Sequence, residues 1–135
     1  MLGAFDPVHR HLLVHTSPSK CSTDFVALLD RLGAAYGTAE RNRPLVAVLD
    51  NGAIHRSRLT TRALAQRPWL TLEWLPTYAP ELNHIERCWR DLKQHYLANR
   101  TFVDADALDR TIHDAVARRN HERQSHSSPI LISSA

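Results

Sequence analysis

Asp50 stands directly behind the apolar run Leu45-Val46-Ala47-Val48-Leu49 and opens the polar turn Asp50-Asn51-Gly52. Sites in open α/β sheets form beyond the carboxyl ends of strands. A carboxylate aimed from such a position suits a hard divalent cation. The same three residues are strong turn formers, and a plain turn accounts for them equally well. The second candidate is Glu86, within Pro80-Glu81-Leu82-Asn83-His84-Ile85-Glu86-Arg87. Ile85, Trp89, Leu92 and Tyr96 follow at offsets of 4, 7 and 11, a helical stripe. Glu86 flanks that stripe in the first turn, where the helix dipole favours an ionised carboxylate. From there it can face a strand end and share a cation with it. Asn83 and Glu86 also have capping-box spacing, which offers Glu86 a purely structural role. Glu81, five residues earlier, is the competing acid.

Other residues carry weaker signals. Arg56, Arg58 and Arg62 follow the Asp50 turn and can track phosphates, although a solvated helix face explains them nearly as well. His9, His11 and His15 invite a metal reading, but beside a hairpin they read better as exposed strand residues. Trp89 lies on the apolar stripe and reads as packing. Cys21 and Cys88 stand far apart in no Cys-x-x-Cys pattern, as reduced thiols rather than a zinc site or a disulfide framework.

These residues need elements to position them. Leu2 to Phe5, the turn signal Asp6-Pro7 and His11 to His15 read as a β-hairpin. Ser22 or Thr23 can cap a helix with Phe25, Leu28, Leu29 and Leu32 on one face. The run at 45–49 suits a strand buried on both faces. A helix after Ser57 carries Leu59, Ala63 and Leu64, and a second buried strand spans Leu70 to Leu75. Pro76 and Pro80 bracket a rigid loop before the Glu86 helix. A last helix runs from about Asp104 to Asn120 with Leu108, Ile112, Ala115 and Val116 inward. The Ser-rich tail, with its single apolar patch Ile130-Leu131-Ile132, is expected to be poorly ordered.

Composition narrows the function. The 135 residues allow one domain. An apolar content of 43% supplies a core and argues against disorder throughout. No apolar run approaches the ~20 residues of a membrane span, and the first residues lack the pattern of a signal peptide. The net charge is +3, with 17 Lys and Arg against 14 Asp and Glu, which tolerates a polyanionic partner without proving one.

Together, Val48-Leu49-Asp50-Asn51-Gly52-Ala53-Ile54-His55 and Leu75-Pro76-Thr77-Tyr78-Ala79-Pro80-Glu81-Leu82-Asn83-His84-Ile85-Glu86-Arg87-Cys88-Trp89 resemble the DDE transposases of the IS630/Tc1/mariner superfamily. Thirty-five residues separate Asp50 from Glu86, close to the family interval. Gly3-Ala4-Phe5-Asp6-Pro7 and Asp24-Phe25-Val26-Ala27-Leu28-Leu29 resemble the segment between the family's first and second catalytic strands. The resemblance covers about residues 1–120. Gly52 replaces the usual Ala, and His84 the usual Pro.

The resemblance implies an α/β, RNase H-like fold, a mixed sheet with flanking helices. It implies metal-dependent DNA cleavage and strand transfer on Mg²⁺ or Mn²⁺, with Asp50 as the second carboxylate and Glu86 as the third. Glu81 matches a less exclusive acidic position. Asn51, His55, Glu81 and Asn83 then support the ligands or touch DNA, and Arg56, Arg58 and Arg62 meet phosphates. The family's first catalytic Asp lies on a strand before the segment at which this chain begins. The fold is therefore expected to be N-terminally truncated and to lack that strand, whose place is central, between the hairpin and the strand ending at Asp50. Residues 1–122 are expected to be a partial catalytic domain, and 123–135 a disordered tail. The implied partners are DNA and a second copy or an intact transposase, without a membrane, in the bacterial cytoplasm at the nucleoid. Inactivity of this chain by itself is expected. The alternatives are a dead DNA-binding or regulatory fragment and a stand-alone metal-dependent nuclease.

Overall fold

The computed structural model describes residues 1–36, 44–123 and 130–134. The turn at Asp6-Pro7 makes its hairpin: β1 (Leu2–Asp6) pairs antiparallel with β2 (His11–His15), Leu2 opposite His15. Helix α1 (Ser22–Tyr36) follows, with Phe25, Leu28, Leu29 and Leu32 fully buried, as their spacing predicts. The helix starts at Ser22, so Ser22 and Thr23 lie within it. At its start the Asp24 carboxylate accepts the Cys21 N–H at 3.0 Å. Strand β3 (Leu45–Leu49) leads into Asp50. Helix α2 (Arg58–Ala65) is capped by Ser57, whose hydroxyl accepts the Thr60 N–H at 3.1 Å. Strand β4 (Leu70–Trp74), helix α3 (Ile85–Asp91) with a π turn over Leu92–Tyr96, helix α4 (Ala105–Glu122) and strand β5 (Ile130–Ser134) complete the chain.

The sheet order is β2-β1-β5-β3-β4. Strand β3 runs parallel to both β4 and β5, and β1 runs antiparallel to β5. The central place expected to be empty is thus held by the chain's own C-terminal strand. Residues 130–134 were expected to be part of a poorly ordered tail; that expectation is corrected by β5, while 124–129 lie outside the described residues. The physical reason is the apolar patch. Ile132 is completely buried between α1 and the sheet, and the strand satisfies backbone groups of two neighbours that would otherwise be edges.

Two cores sandwich the sheet. One joins Leu2, Ala4, Leu49 and Ile132 to the apolar face of α1. The other joins Phe5, Leu12 and Val14 to Ile85, Cys88, Trp89 and Leu92 of the α3 segment and to Ala115 and Val116 of α4. The alternation of a strand decides which side chain goes where. Leu2 and Ala4 point to α1, so Gly3 faces α3. A Cβ on Gly3 would lie 2.3 Å from Trp89 Cη2, so the indole can rest on β1 only because residue 3 has no side chain.

The sequence reading needs other corrections. β4 is an edge strand, with Thr71, Glu73 and Trp74 exposed, rather than a second buried one. Val46 on β3 is 40% exposed, so β3 is not buried on both faces throughout. Leu108 on α4 is exposed, while Ala115 and Val116 are buried as expected. Arg119 of α4 is buried, held at 3.2 Å by the Asp91 carboxylate and at 3.2 Å by the Cys88 sulfur. Burial pushes the Cys88 thiol up to about 11 against the pull of Arg119, so it is an inert packing group.

Candidate functional site

The parallel pairing of β5 and β3 sets Ile132 beside Leu49, so the next residues, Ser133 and Asp50, leave adjacent strand ends side by side. Leu49 and Ile132 both belong to the α1 core, and alternation turns the residues after them toward α3. Glu86 arrives there from the first turn of α3, whose Ile85 and Trp89 anchor it against the sheet. The result is a convergence on one hydroxyl. Ser133 Oγ lies 3.3 Å from Asp50 Oδ2 and 3.3 Å from Glu86 Oε1.

The rest of the Asp50 shell comes from its own turn. Asp50 Oδ1 accepts the Gly52 N–H at 3.2 Å and lies 3.2 Å from His55 Nδ1, which is also 3.2 Å from the Asp50 carbonyl. The hydrogen bond from His55, then those from the Gly52 N–H and Ser133, hold the Asp50 carboxyl below its ordinary range, and desolvation opposes them. His55 is buried, in tilted contact with the Phe25 ring at 4.6 Å. Its placement follows from the short 3₁₀ turn Ala53–Arg56, which folds the ring back under Asp50. His55 therefore sits behind the carboxylate rather than in the open cleft.

That cleft, about 870 Å³, runs along Asp50, Asn51 and Glu86 and under the loop from Leu75 to Glu81. Asn51 Nδ2 donates to the Leu75 carbonyl at 3.3 Å and ties the Asp50 turn to the loop. Tyr78 on that loop is 97% exposed, with φ of 64°, a left-handed conformation uncommon for a tyrosine. Glu81 and Asn83 line the same cleft. The capping box foreseen for Asn83 and Glu86 is not formed. His84 precedes the helix, and Asn83 Oδ1 is buried without a hydrogen-bond partner among the described residues.

Of the arginines read as phosphate contacts, Arg56 stacks on Trp74 at 4.6 Å and donates to Asn51 Oδ1. Arg58 and Arg62 are exposed on α2, away from the cleft lining. The arginines that do line it are Arg87 and Arg90, which the sequence reading passed over. Their signal was available, since Arg90 lies four residues after Glu86 on the same helix. Ser133 was also missed. Its only signal was the three-residue apolar patch before it. Among the described residues, no three or more His, Cys, Asp or Glu gather as a metal site: the convergence holds two carboxylates and a hydroxyl.

Comparison with known proteins agrees with this architecture. Residues 1–109 match the DDE superfamily endonuclease family, to which the chain belongs. It is 39% identical over 74 residues to the "Insertion element IS630 uncharacterized 39 kDa protein" of Shigella sonnei, covering 55% of this chain and 21% of that one. It is 30% identical over 88 residues to the uncharacterized protein y4pE/y4sA of Sinorhizobium fredii, covering 65% of this chain and 61% of that one. The chain thus spans about a fifth and about three fifths of the curated relatives it matches. The mixed five-stranded sheet with flanking helices is the RNase H-like arrangement of a DDE domain, and the likeness to an IS630 protein accords with the resemblance of the two motifs. Among the described residues, no helix is long and apolar enough to cross a membrane.

Proposed function

We propose that this chain carries the cation-binding part of a site for DNA phosphodiester cleavage and strand transfer, serving transposition. The observation behind the reading is the meeting of Asp50 and Glu86, from a strand end and a helix first turn, on the wall of a cleft with Arg87 and Arg90. Hard oxygen donors suit Mg²⁺ or Mn²⁺. Asn83 Oδ1, buried and unpartnered on the same wall, adds a neutral oxygen that such an ion would satisfy.

In this reading Asp50 and Glu86 hold the cation, which when bound supplies Lewis-acid stabilisation and an activated attacking oxygen. His55 fixes the Asp50 carboxylate from behind, and Asn51 fixes the turn that carries it. Arg87 and Arg90 meet the phosphates entering the cleft, with Arg56, Arg58 and Arg62 extending the positive surface beyond it. Glu81 lies in the cleft without joining the Ser133 convergence, so it ranks behind Glu86. DNA is the substrate, and a second copy or an intact family member is the assembly partner.

Two carboxylates supply less charge than three, so the chain by itself holds a cation weakly and cleaves no DNA. A catalytically silent, DNA-binding regulatory role is the second reading, and the two-carboxylate convergence favours it. Titration calorimetry with Mn²⁺ tests the assignment. Binding is expected for the unaltered chain and is lost in Asp50→Ala and in Glu86→Ala, while Glu81→Ala retains it. Equal binding by all four proteins overturns the site. Metal-dependent nicking by the unaltered chain that disappears in Asp50→Ala instead supports the stand-alone nuclease.

A further inference from the structure

Strand β5 does more than close the sheet. It delivers one polar side chain to the point where two acids converge. Ser133 is completely buried, yet its hydroxyl is equidistant, at 3.3 Å, from a carboxylate oxygen of β3's terminus and one of α3. A hydroxyl has one proton. It can donate to only one of these carboxylates at a time, so the arrangement leaves two anions facing one neutral group. The backbone gives this position no latitude. Gly3 of β1 pairs with Ser133 on one side, and the parallel register with β3 fixes it on the other. Trp89, resting on Gly3, closes that face of the sheet next to it. Nearby, Asn83 Oδ1 is buried on the cleft wall and has no hydrogen-bond partner among the described residues, an independent sign of an oxygen that a cation would satisfy.

We propose that residue 133 is the third wall of the divalent-cation site and determines its affinity. Ser133 faces the ion together with Asp50 and Glu86 and, with no ion bound, its hydroxyl donates to one carboxylate at a time while lying 3.3 Å from an oxygen of each. This rests on the reading of Asp50 and Glu86 as cation ligands, and it adds a residue from an element outside both motifs. Because the number of ligand charges sets the affinity of a hard-cation site, a carboxylate at 133 should convert a weak site into a tight one. A thiolate there should recruit a soft ion instead.

The test uses the full chain in five forms: unaltered, Asp50→Ala, Ser133→Asp, Ser133→Cys and the double variant Asp50→Ala/Ser133→Cys. Mn²⁺ affinity is measured by calorimetry, and Cd²⁺ binding by the ultraviolet thiolate-to-cadmium charge-transfer band, with the unaltered chain supplying the background of Cys21 and Cys88. Ser133→Asp is expected to bind Mn²⁺ about tenfold tighter or more, and to melt at lower temperature than the unaltered chain in chelator and recover with Mn²⁺. Three converging carboxylates can prevent folding without metal, so Ser133→Cys provides the second measurement. It is expected to show a cadmium band above background that is lost when Asp50→Ala is added. If Asp50→Ala weakens Mn²⁺ binding but Ser133→Cys shows no added band, the inference about residue 133 falls and the metal site stands. If Asp50→Ala binds Mn²⁺ as well as the unaltered chain, the metal site falls, and the inference falls with it.

Discussion

Two aspartates stand at the ends of two short apolar strands in this molecule, in opposite situations. Asp6 is the last residue of β1, and Asp50 comes one residue after β3. The Asp6 carboxylate is closed by its surroundings. It accepts N–H groups of Val8 at 2.9 Å and His9 at 3.2 Å, and it meets His9 Nδ1 at 2.7 Å and the Tyr36 hydroxyl at 3.1 Å. Burial and the Asp6 charge together push the Tyr36 phenol up. Asp24 is closed in the same way, by the Cys21 N–H and thiol, the Ser19 hydroxyl and His15. Asp50 has fewer donors, an open cleft on one side and a second carboxylate across from it. Saturated carboxylates hold the chain together. One that keeps an open cleft on one side and a second acid nearby leaves room for a cation. The difference separates a closed acid from an open one, which the turn sequence alone does not do.

The comparison breaks most sharply at Asp6. Asp6→Ala strands the Val8 and His9 N–H groups and the Tyr36 hydroxyl and should cost about 2–4 kcal/mol in urea denaturation, several donors at roughly 1–3 each with partial rescue by water. Asp50→Ala, measured the same way in chelator, should cost less, because it also removes an acid facing Glu86. A larger loss at Asp50 than at Asp6 would reverse the assignment of the two.

A smaller effect is expected at the join between the site and the sheet. Gly3→Ala forces the Trp89 ring off β1 and should cost about 1–3 kcal/mol, the usual range for overpacking. It should also weaken Mn²⁺ binding, because α3 carries both Trp89 and Glu86. Unchanged stability would mean that α3 does not rest on Gly3.

The mildest test uses pH. The Cys21 thiol and N–H hold the Asp24 carboxyl below its ordinary range. A depressed folded-state value means that its stabilisation is present above the unfolded value of about 3.9 and disappears as acid carries the pH down through the folded one. The stability difference between the unaltered chain and Asp24→Asn should therefore shrink as the pH falls below about 4, read from denaturation midpoints. A difference that stays constant or grows in acid contradicts the saturated-acid picture.

Much of the fold was legible because period and punctuation are local. Phe25, Leu28, Leu29 and Leu32 announce α1 at helical spacing, and Asp6-Pro7 announces the hairpin. Asp50 and Glu86 stand out as candidates because each lies in a long motif with recognisable order. Errors came where neighbours decide. Leu70 to Trp74 is apolar enough for a central strand, but β4 is the last strand of the sheet among the described residues, and Thr71, Glu73 and Trp74 are exposed. The Asn83–Glu86 spacing fits a capping box, but the loop from Leu75 turns Asn83 inward to the cleft, and His84 takes the place before the helix.

By itself, the sequence indicated the helices through side-chain period, while the resemblance of its two motifs implied the class of sheet and pointed to Asp50 and Glu86 as candidates. Which third group meets those acids was decided only by tertiary structure. Ser133 lies 82 positions beyond Asn51 in a segment with three apolar residues and no motif. Its place depends on β5 pairing with β1 and β3 at once, which satisfies backbone groups of both and buries Ile132 completely. Strand pairing is a contest among all available edges. No local pattern reports its outcome, because the hydrogen bonds that settle it join residues from opposite ends of the chain.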